Sequence, residues 1–116
     1  MIKNWIPLNS ESQLQEAVTS SYQRPVVFFK HSTRCSISSM ALNRLSRLDI
    51  SGHGNAMFYY LDLLSYRNLS NKIADNFGVI HESPQLLLIK NGDCVFEASH
   101  SEIAVSELQE QLNQVA

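Results

Sequence analysis

Val26-Val27-Phe28-Phe29 is a β-branched and aromatic run suited to a strand buried inside a sheet, and soon after it the pattern changes. From Ile37 onward the apolar residues recur at helical spacing, and Lys30-His31-Ser32-Thr33-Arg34-Cys35-Ser36-Ile37-Ser38 carries the chain from strand to helix. A helix predicted over Cys35 to Leu48 places Ile37, Met40, Ala41, Leu45 and Leu48 on one face. A second buried-strand run follows at Met57-Phe58-Tyr59-Tyr60-Leu61, after a Gly52- and Gly54-containing loop. Strand, helix and strand in this order predict a right-handed βαβ unit with parallel strands. Cys35 then stands at a helix N-terminus, where unpaired backbone N–H groups and the helix dipole favour a thiolate. Cysteines in such positions titrate at about 3.5 to 7.5 instead of about 8.5.

The flanking elements extend this unit. Ile2 to Leu8 reads as an extended segment or edge strand, since Pro7 cannot donate a ladder hydrogen bond. Ser10-Glu11-Ser12-Gln13 has capping-box form and starts a helix that carries Leu14, Ala17 and Val18 and ends near Tyr22. Leu69, Ile73 and Phe77 recur at four-residue spacing ahead of Gly78, which predicts a third helix with a glycine C-cap. Leu86 to Ile89, Asn91-Gly92 and Cys94 to Ala98 together read as an antiparallel hairpin. Ser101 is placed to cap a last helix with an apolar stripe of Val105, Leu108, Leu112 and Val115. The order is αβαβαββα with a possible leading strand.

A chain of 116 residues with this apolar content fits one compact domain over 1–116, without a linker or an internal repeat. Nine Lys and Arg against eleven Asp and Glu leave a net charge of −2, too little positive field for general binding to nucleic acid or an anionic membrane. The N-terminal residues do not build a signal peptide and no apolar run is long enough to span a bilayer, so a cytoplasmic protein is expected. Cys35 and Cys94 are far apart and lack the paired spacing of a zinc site or disulfide framework, which suits a reducing compartment. No His-x-x-x-His or Cys-x-x-Cys spacing points to a metal.

With Cys35 at the end of a central strand and Ser83-Pro84 just before a hairpin, the chain resembles the thioredoxin-like fold: α/β, a central mixed sheet of four to five strands flanked by about four helices. The resemblance implies that Pro84 is a cis-proline shaping the wall opposite the cysteine. It also implies that the Ser83 backbone pairs with bound substrate. Three segments narrow it further: Lys30 to Ser38; the stretch from Leu69-Ser70-Asn71 through Ile73-Ala74 to His81-Glu82-Ser83-Pro84-Gln85; and Ala98-Ser99-His100. In order and spacing they resemble the monothiol bacilliredoxins, thioredoxin-like proteins of bacteria that use bacillithiol. That family usually has proline after the active cysteine, where this chain has Ser36. The departure bears on loop stiffness and thiolate basicity and leaves the nucleophile in place.

The residues define the chemistry independently of the resemblance. A dithiol reductase carries its resolving cysteine three residues after the nucleophile; here that residue is Ser38. A serine hydroxyl can donate a hydrogen bond to the Cys35 thiolate but cannot resolve a mixed disulfide. The expected enzyme is a monothiol thiol-disulfide oxidoreductase that stops at a Cys35 mixed disulfide and depends on an external thiol. It needs no tightly bound cofactor. The resemblance implies bacillithiol as co-substrate and S-thiolated proteins as partners. Arg34 and His31 can add positive potential or contact carboxylates of the small thiol, or be a solvated arginine and a strand-end histidine. Thr33 can bond the sulfur or complete the turn. Cys94 reads as a small apolar strand residue or a distant resolving thiol, and His81 and His100 line the site or satisfy loop backbone. Two other classes fit a Cys-x-x-Ser loop: an iron–sulfur carrier of the monothiol glutaredoxin kind, disfavoured by the missing glycine after Cys35, and a thioredoxin-like binding module without turnover.

Overall fold

A computed structural model describes residues 5–48, 53 and 55–115. The elements run β1 (Ile6–Pro7), α1 (Glu11–Ser20), β2 (Val26–His31), α2 (Ser36–Leu45), β3 (Met57–Asp62), α3 (Arg67–Phe77), β4 (Gln85–Lys90), β5 (Asp93–Ser99) and α4 (Val105–Val115). The leading strand is thus real but short, and the part of its expected range at residues 2–4 lies outside the described residues, as does most of the expected 49–55 loop.

The five strands form one mixed sheet in the order β1-β3-β2-β4-β5. β2 pairs parallel with β3 over its whole length, Val26 opposite Met57 through His31 opposite Asp62. On its other edge it pairs antiparallel with β4, Val26 opposite Ile89 through Lys30 opposite Gln85. Helices cover both faces. Ala41 and Leu45 of α2 and Leu108 and Leu112 of α4 pack with Val27, Phe29, Phe58, Tyr60, Leu86 and Leu88 on one side. Leu14 and Ala17 of α1 and Leu69 and Ile73 of α3 pack with Val26, Phe28, Tyr59, Leu61, Leu87 and Ile89 on the other. A strand covered on both faces carries apolar residues at every position instead of alternating ones, which is why Val26–Phe29 and Leu86–Ile89 are continuous runs.

Local signals account for most boundaries. The Ser10 hydroxyl accepts from the Gln13 N–H at 3.2 Å, and the Gln13 side chain reaches back to the Asn9 N–H at 2.7 Å, one residue earlier than a standard capping box. Gly78 ends α3 in the left-handed conformation, φ 64°. Asn91 and Gly92 both have positive φ in the β4–β5 turn, the type I′ signature.

Two expectations fail. In α2 the buried face is Ser38, Ala41 and Leu45, continued by Leu48 beyond the helix, while Ile37 and Met40 are exposed at 47% and 58%. The helix starts at the end of the sheet, and the residue directly beneath its first turn is polar, so the small Ser38 takes the inward position. Ser101 does not cap α4: it lies inside a 3₁₀ turn at His100–Glu102, and α4 begins after it. No helix of the described residues is long and apolar enough to cross a membrane.

The packing predicts that Leu45→Ala, which empties a fully buried site, costs about 2–5 kcal/mol. Met40→Ala on the same helix should stay within about 0.5 kcal/mol. Urea denaturation of the two variants checks this pair.

Candidate active site

β2 ends at His31, and the chain turns over Ser32–Arg34 to deliver Cys35 as the N-cap residue of α2, φ −111° and ψ 122°. The Cys35 N–H closes the turn on Ser32 O at 3.2 Å, and its carbonyl accepts the first helical bond from Ser39 N–H at 3.0 Å. The thiol is free and half-buried. It stands at the positive end of a ten-residue helix, where the first-turn N–H groups have no intrahelical acceptor, an arrangement that favours negative charge.

Ser38, one turn further, is the candidate donor to the Cys35 sulfur, and its hydroxyl contacts run to the strand below. Its Oγ lies 2.6 Å from His31 Nδ1 and accepts the Ser32 N–H at 3.0 Å. The physical reason is the burial of His31, which is 3% exposed and boxed by Phe29 and Tyr60 with ring centroids 5.8 and 5.7 Å away. A buried ring nitrogen needs a partner, and Ser38 is the nearest one. His31 is accordingly a wall of the core beneath the loop and offers no surface to a substrate, contrary to its expected binding role. Burial holds its basicity below the ordinary histidine range, while the Asp62 carboxylate works in the opposite direction. Thr33 and Arg34 are exposed on the turn.

The antiparallel register opposing Lys30 and Gln85 brings Pro84 to the same end of the sheet as His31 and the Cys35 loop. The Ser83–Pro84 peptide is cis. Pro84 is buried and its carbonyl accepts the His100 N–H at 3.0 Å. Ser83 Oγ is buried without a partner among the described residues. His100, with φ 56°, also faces Glu82 at 3.1 Å, so this histidine holds the proline loop to the end of β5.

Cys94 is at the other end. It pairs with Ile89, which pairs with Val26, so the whole of β2 separates it from Cys35, roughly 17 Å of strand. Its Sγ donates to Phe96 O at 3.3 Å and burial pushes its thiol up, both marks of a packed apolar residue. Among the described residues no group of three or more His, Cys, Asp or Glu side chains could hold a metal ion.

One buried group had no assigned role in the sequence. Lys30 is fully buried, its Nζ donating to Ser70 O at 3.0 Å and lying 3.3 Å from His81 Nδ1, which also meets Ser70 Oγ at 3.1 Å. Desolvation lowers Lys30 to about 8, and burial followed by Lys30 and Arg67 lowers His81. The signal was present: in a strand covered on both faces a lysine must point inward, and here it shares the Phe28 face. His81 therefore satisfies an internal cluster that ties α3 to the proline loop.

Comparisons with known proteins place this geometry. The family described as monothiol bacilliredoxin BrxC matches residues 6–108. A solved protein described as a candidate oxidoreductase with a thioredoxin fold is 32% identical, with a TM-score of 0.79 over 93% of this chain and 92% of its own. The thioredoxin of Fasciola hepatica is 16% identical with a TM-score of 0.74, over 96% and 99% of the two chains. That of Malassezia sympodialis is 17% identical with a TM-score of 0.70, over 97% and 90%. The expected thioredoxin-like fold is the fold of this chain.

Lys30 makes stability depend on alkaline pH. Its native pKa of about 8 lies below the unfolded 10.5, so between these values the unfolded chain holds the extra proton and stability rises with pH. Wild type should gain stability relative to Lys30→Met as pH goes from 8 to 10.5, with a flat difference below 8, measured by urea denaturation at each pH.

Proposed function

The chain belongs to the monothiol bacilliredoxin family, and from that premise we propose that it removes bacillithiol, or a closely similar small thiol, from protein mixed disulfides through Cys35. The observation that carries this reading is the isolation of the Cys35 thiol. It sits alone at the N-cap of α2 with a serine at the third following position, and Cys94 lies beyond reach at the far end of β2.

The steps balance as two exchanges. The Cys35 thiolate attacks the bacillithiol sulfur of a protein mixed disulfide; that S–S bond breaks, and the target cysteine leaves as a thiolate and is protonated from solvent. Cys35 now carries bacillithiol. A second bacillithiol thiolate attacks the bacillithiol sulfur of the adduct, releasing bacillithiol disulfide and the Cys35 thiolate. A reduced protein partner can take the same role. Rate and direction follow from thiolate nucleophilicity and the leaving thiol's acidity.

The other residues have supporting roles. The α2 N-terminus favours the anionic sulfur in both its free and leaving forms. The Ser83 backbone and Pro84 shape the opposite wall against which the disulfide lies. Exposed Arg34 offers a cation to carboxylates of the small thiol, and Thr33 a hydroxyl at the turn. No tightly bound cofactor enters, the partners are S-thiolated proteins with neither nucleic acid nor membrane, and the chemistry suits the reducing cytoplasm.

Exposure to bacillithiol disulfide followed by intact-mass and peptide mass spectrometry tests the reading. Wild type and Cys94→Ser should each gain one bacillithiol, located on Cys35, and Cys35→Ser should fall to background. An adduct confined to Cys94 overturns the reading.

A further inference from the structure

We propose that His31 is a positioning residue that determines whether the Ser38 hydroxyl can donate a hydrogen bond to the Cys35 sulfur. This deepens the function above and rests on Cys35 being the reacting thiol.

The argument is an inventory of hydrogen-bonding capacity. A serine hydroxyl has one proton and two acceptor positions. One acceptor position of Ser38 is taken by the Ser32 N–H at 3.0 Å, and the 2.6 Å contact to His31 Nδ1 admits two arrangements. With Nδ1 bare, the Ser38 proton goes to His31 and none is left for sulfur. With a proton on Nδ1, His31 donates to Ser38, both acceptor positions are filled, and the Ser38 proton is released. Cys35 is the N-cap of α2 and Ser38 its third helical residue, so both stand in the first turn. A sulfur anion at Cys35 is therefore the natural acceptor of the released proton.

The surroundings make this choice responsive to pH. His31 stands directly opposite Asp62 in the parallel register, so both side chains share a face of the sheet. Asp62 Oδ2 takes the Ser65 hydroxyl at 3.1 Å, while Oδ1 is buried without a partner. Asp62, whose charge acts on the imidazole without a direct ion pair, supplies the counter-charge for an imidazolium. On the remaining sides the ring meets Phe29 of its own strand, Tyr60 of β3 and Ser38 of α2. The Tyr60 phenol is held neutral by burial, and Lys30 points to the opposite face of the sheet. Asp62 is thus the charged side chain facing His31 among the described residues. Burial outweighs Asp62, so the neutral ring predominates near neutral pH; in its Nε2–H tautomer Nδ1 is bare and the Ser38 proton is bound to it. Below the ordinary histidine range the imidazolium forms and Ser38 becomes a donor to Cys35.

The test is the rate of Cys35 alkylation by iodoacetamide against pH, in the Cys94→Ser background. The unchanged site should give a profile with two inflections, the lower one from His31. Ser38→Ala should remove the lower inflection and reduce the rate on its acid side, relative to the variant's own plateau, by about 10-fold, the size of a hydrogen bond to a charged group. His31→Phe, which keeps an aromatic ring between Phe29 and Tyr60, should give a single inflection without the Ser38→Ala loss, because Ser38 is then permanently free to donate. If the lower inflection persists in Ser38→Ala, the effect of His31 is purely coulombic and the proposal is overturned. Nitrogen-15 shifts of His31 in the unsubstituted protein provide a second readout that needs no variant. Nδ1 should be bare at pH 7.5 and protonated on acidification, and an Nδ1 that carries a proton throughout overturns the switch. Alkylation requires no bacillithiol, so its outcome is separate from that of the adduct experiment.

Discussion

β2 is hydrogen-bonded along both edges and buried on both faces, and the rest of the molecule depends on that enclosure. The parallel ladder with β3 fixes where the strand ends and α2 begins, which places Cys35. The antiparallel ladder with β4 fixes where the hairpin returns, which places Pro84 at the same end and Cys94 at the other. A slip of one residue in either ladder would turn every side chain of the strand to the wrong face, so register is strongly specified by the two cores packed against it.

The same enclosure creates a problem at the last two positions of the strand. Lys30 and His31 carry polar groups into regions where a polar atom without a partner costs about 1–3 kcal/mol or more. Successive strand residues face opposite sides, so each needs a separate solution. Lys30 is satisfied by Ser70 O and His81 beneath α3, and His31 by Ser38 in the first turn of α2. Both solutions hold in place a segment that walls the candidate site: the first binds the loop leading to Pro84, the second the helix start that bears Cys35. The polar end of an otherwise apolar strand is therefore what connects the scaffold to the site.

The architecture was legible because strand and helix periods, the Gly78 and Asn91-Gly92 signals and the position of Cys35 are local properties of the chain. The departures in α2 share one physical origin. Hydrophobicity alone points Ile37 and Met40 inward, but the first turn of α2 lies over His31, and the side chain suited to a buried imidazole is a small hydroxyl. The sequence distance of Ser38 from Cys35 says nothing of the ring beneath it. Lys30 could have been recognised as buried from its place in a strand covered on both faces, but its partners Ser70 and His81 are brought to it only by the tertiary fold. Ser101 has the residue type of a cap, and the 3₁₀ turn that contains it starts at His100, whose φ is 56°.

These contacts change the meaning of the Cys-x-x-Ser pattern. Taken as a sequence, Ser38 is a resolving cysteine that has lost its sulfur, and alanine would serve a one-thiol enzyme equally well. In the fold it is fully buried and uses its oxygen twice, accepting from the Ser32 N–H and meeting His31 Nδ1. Alanine would leave both groups unpaired, and a cysteine thiol, a weak donor and a weak acceptor, would satisfy them poorly. With the buried histidine beneath it, serine is the residue whose hydrogen-bonding capacity matches the position. A single-thiol mechanism and a stable helix start are consequently requirements that the same side chain meets, one by being unable to form a disulfide and the other by bonding to the strand below.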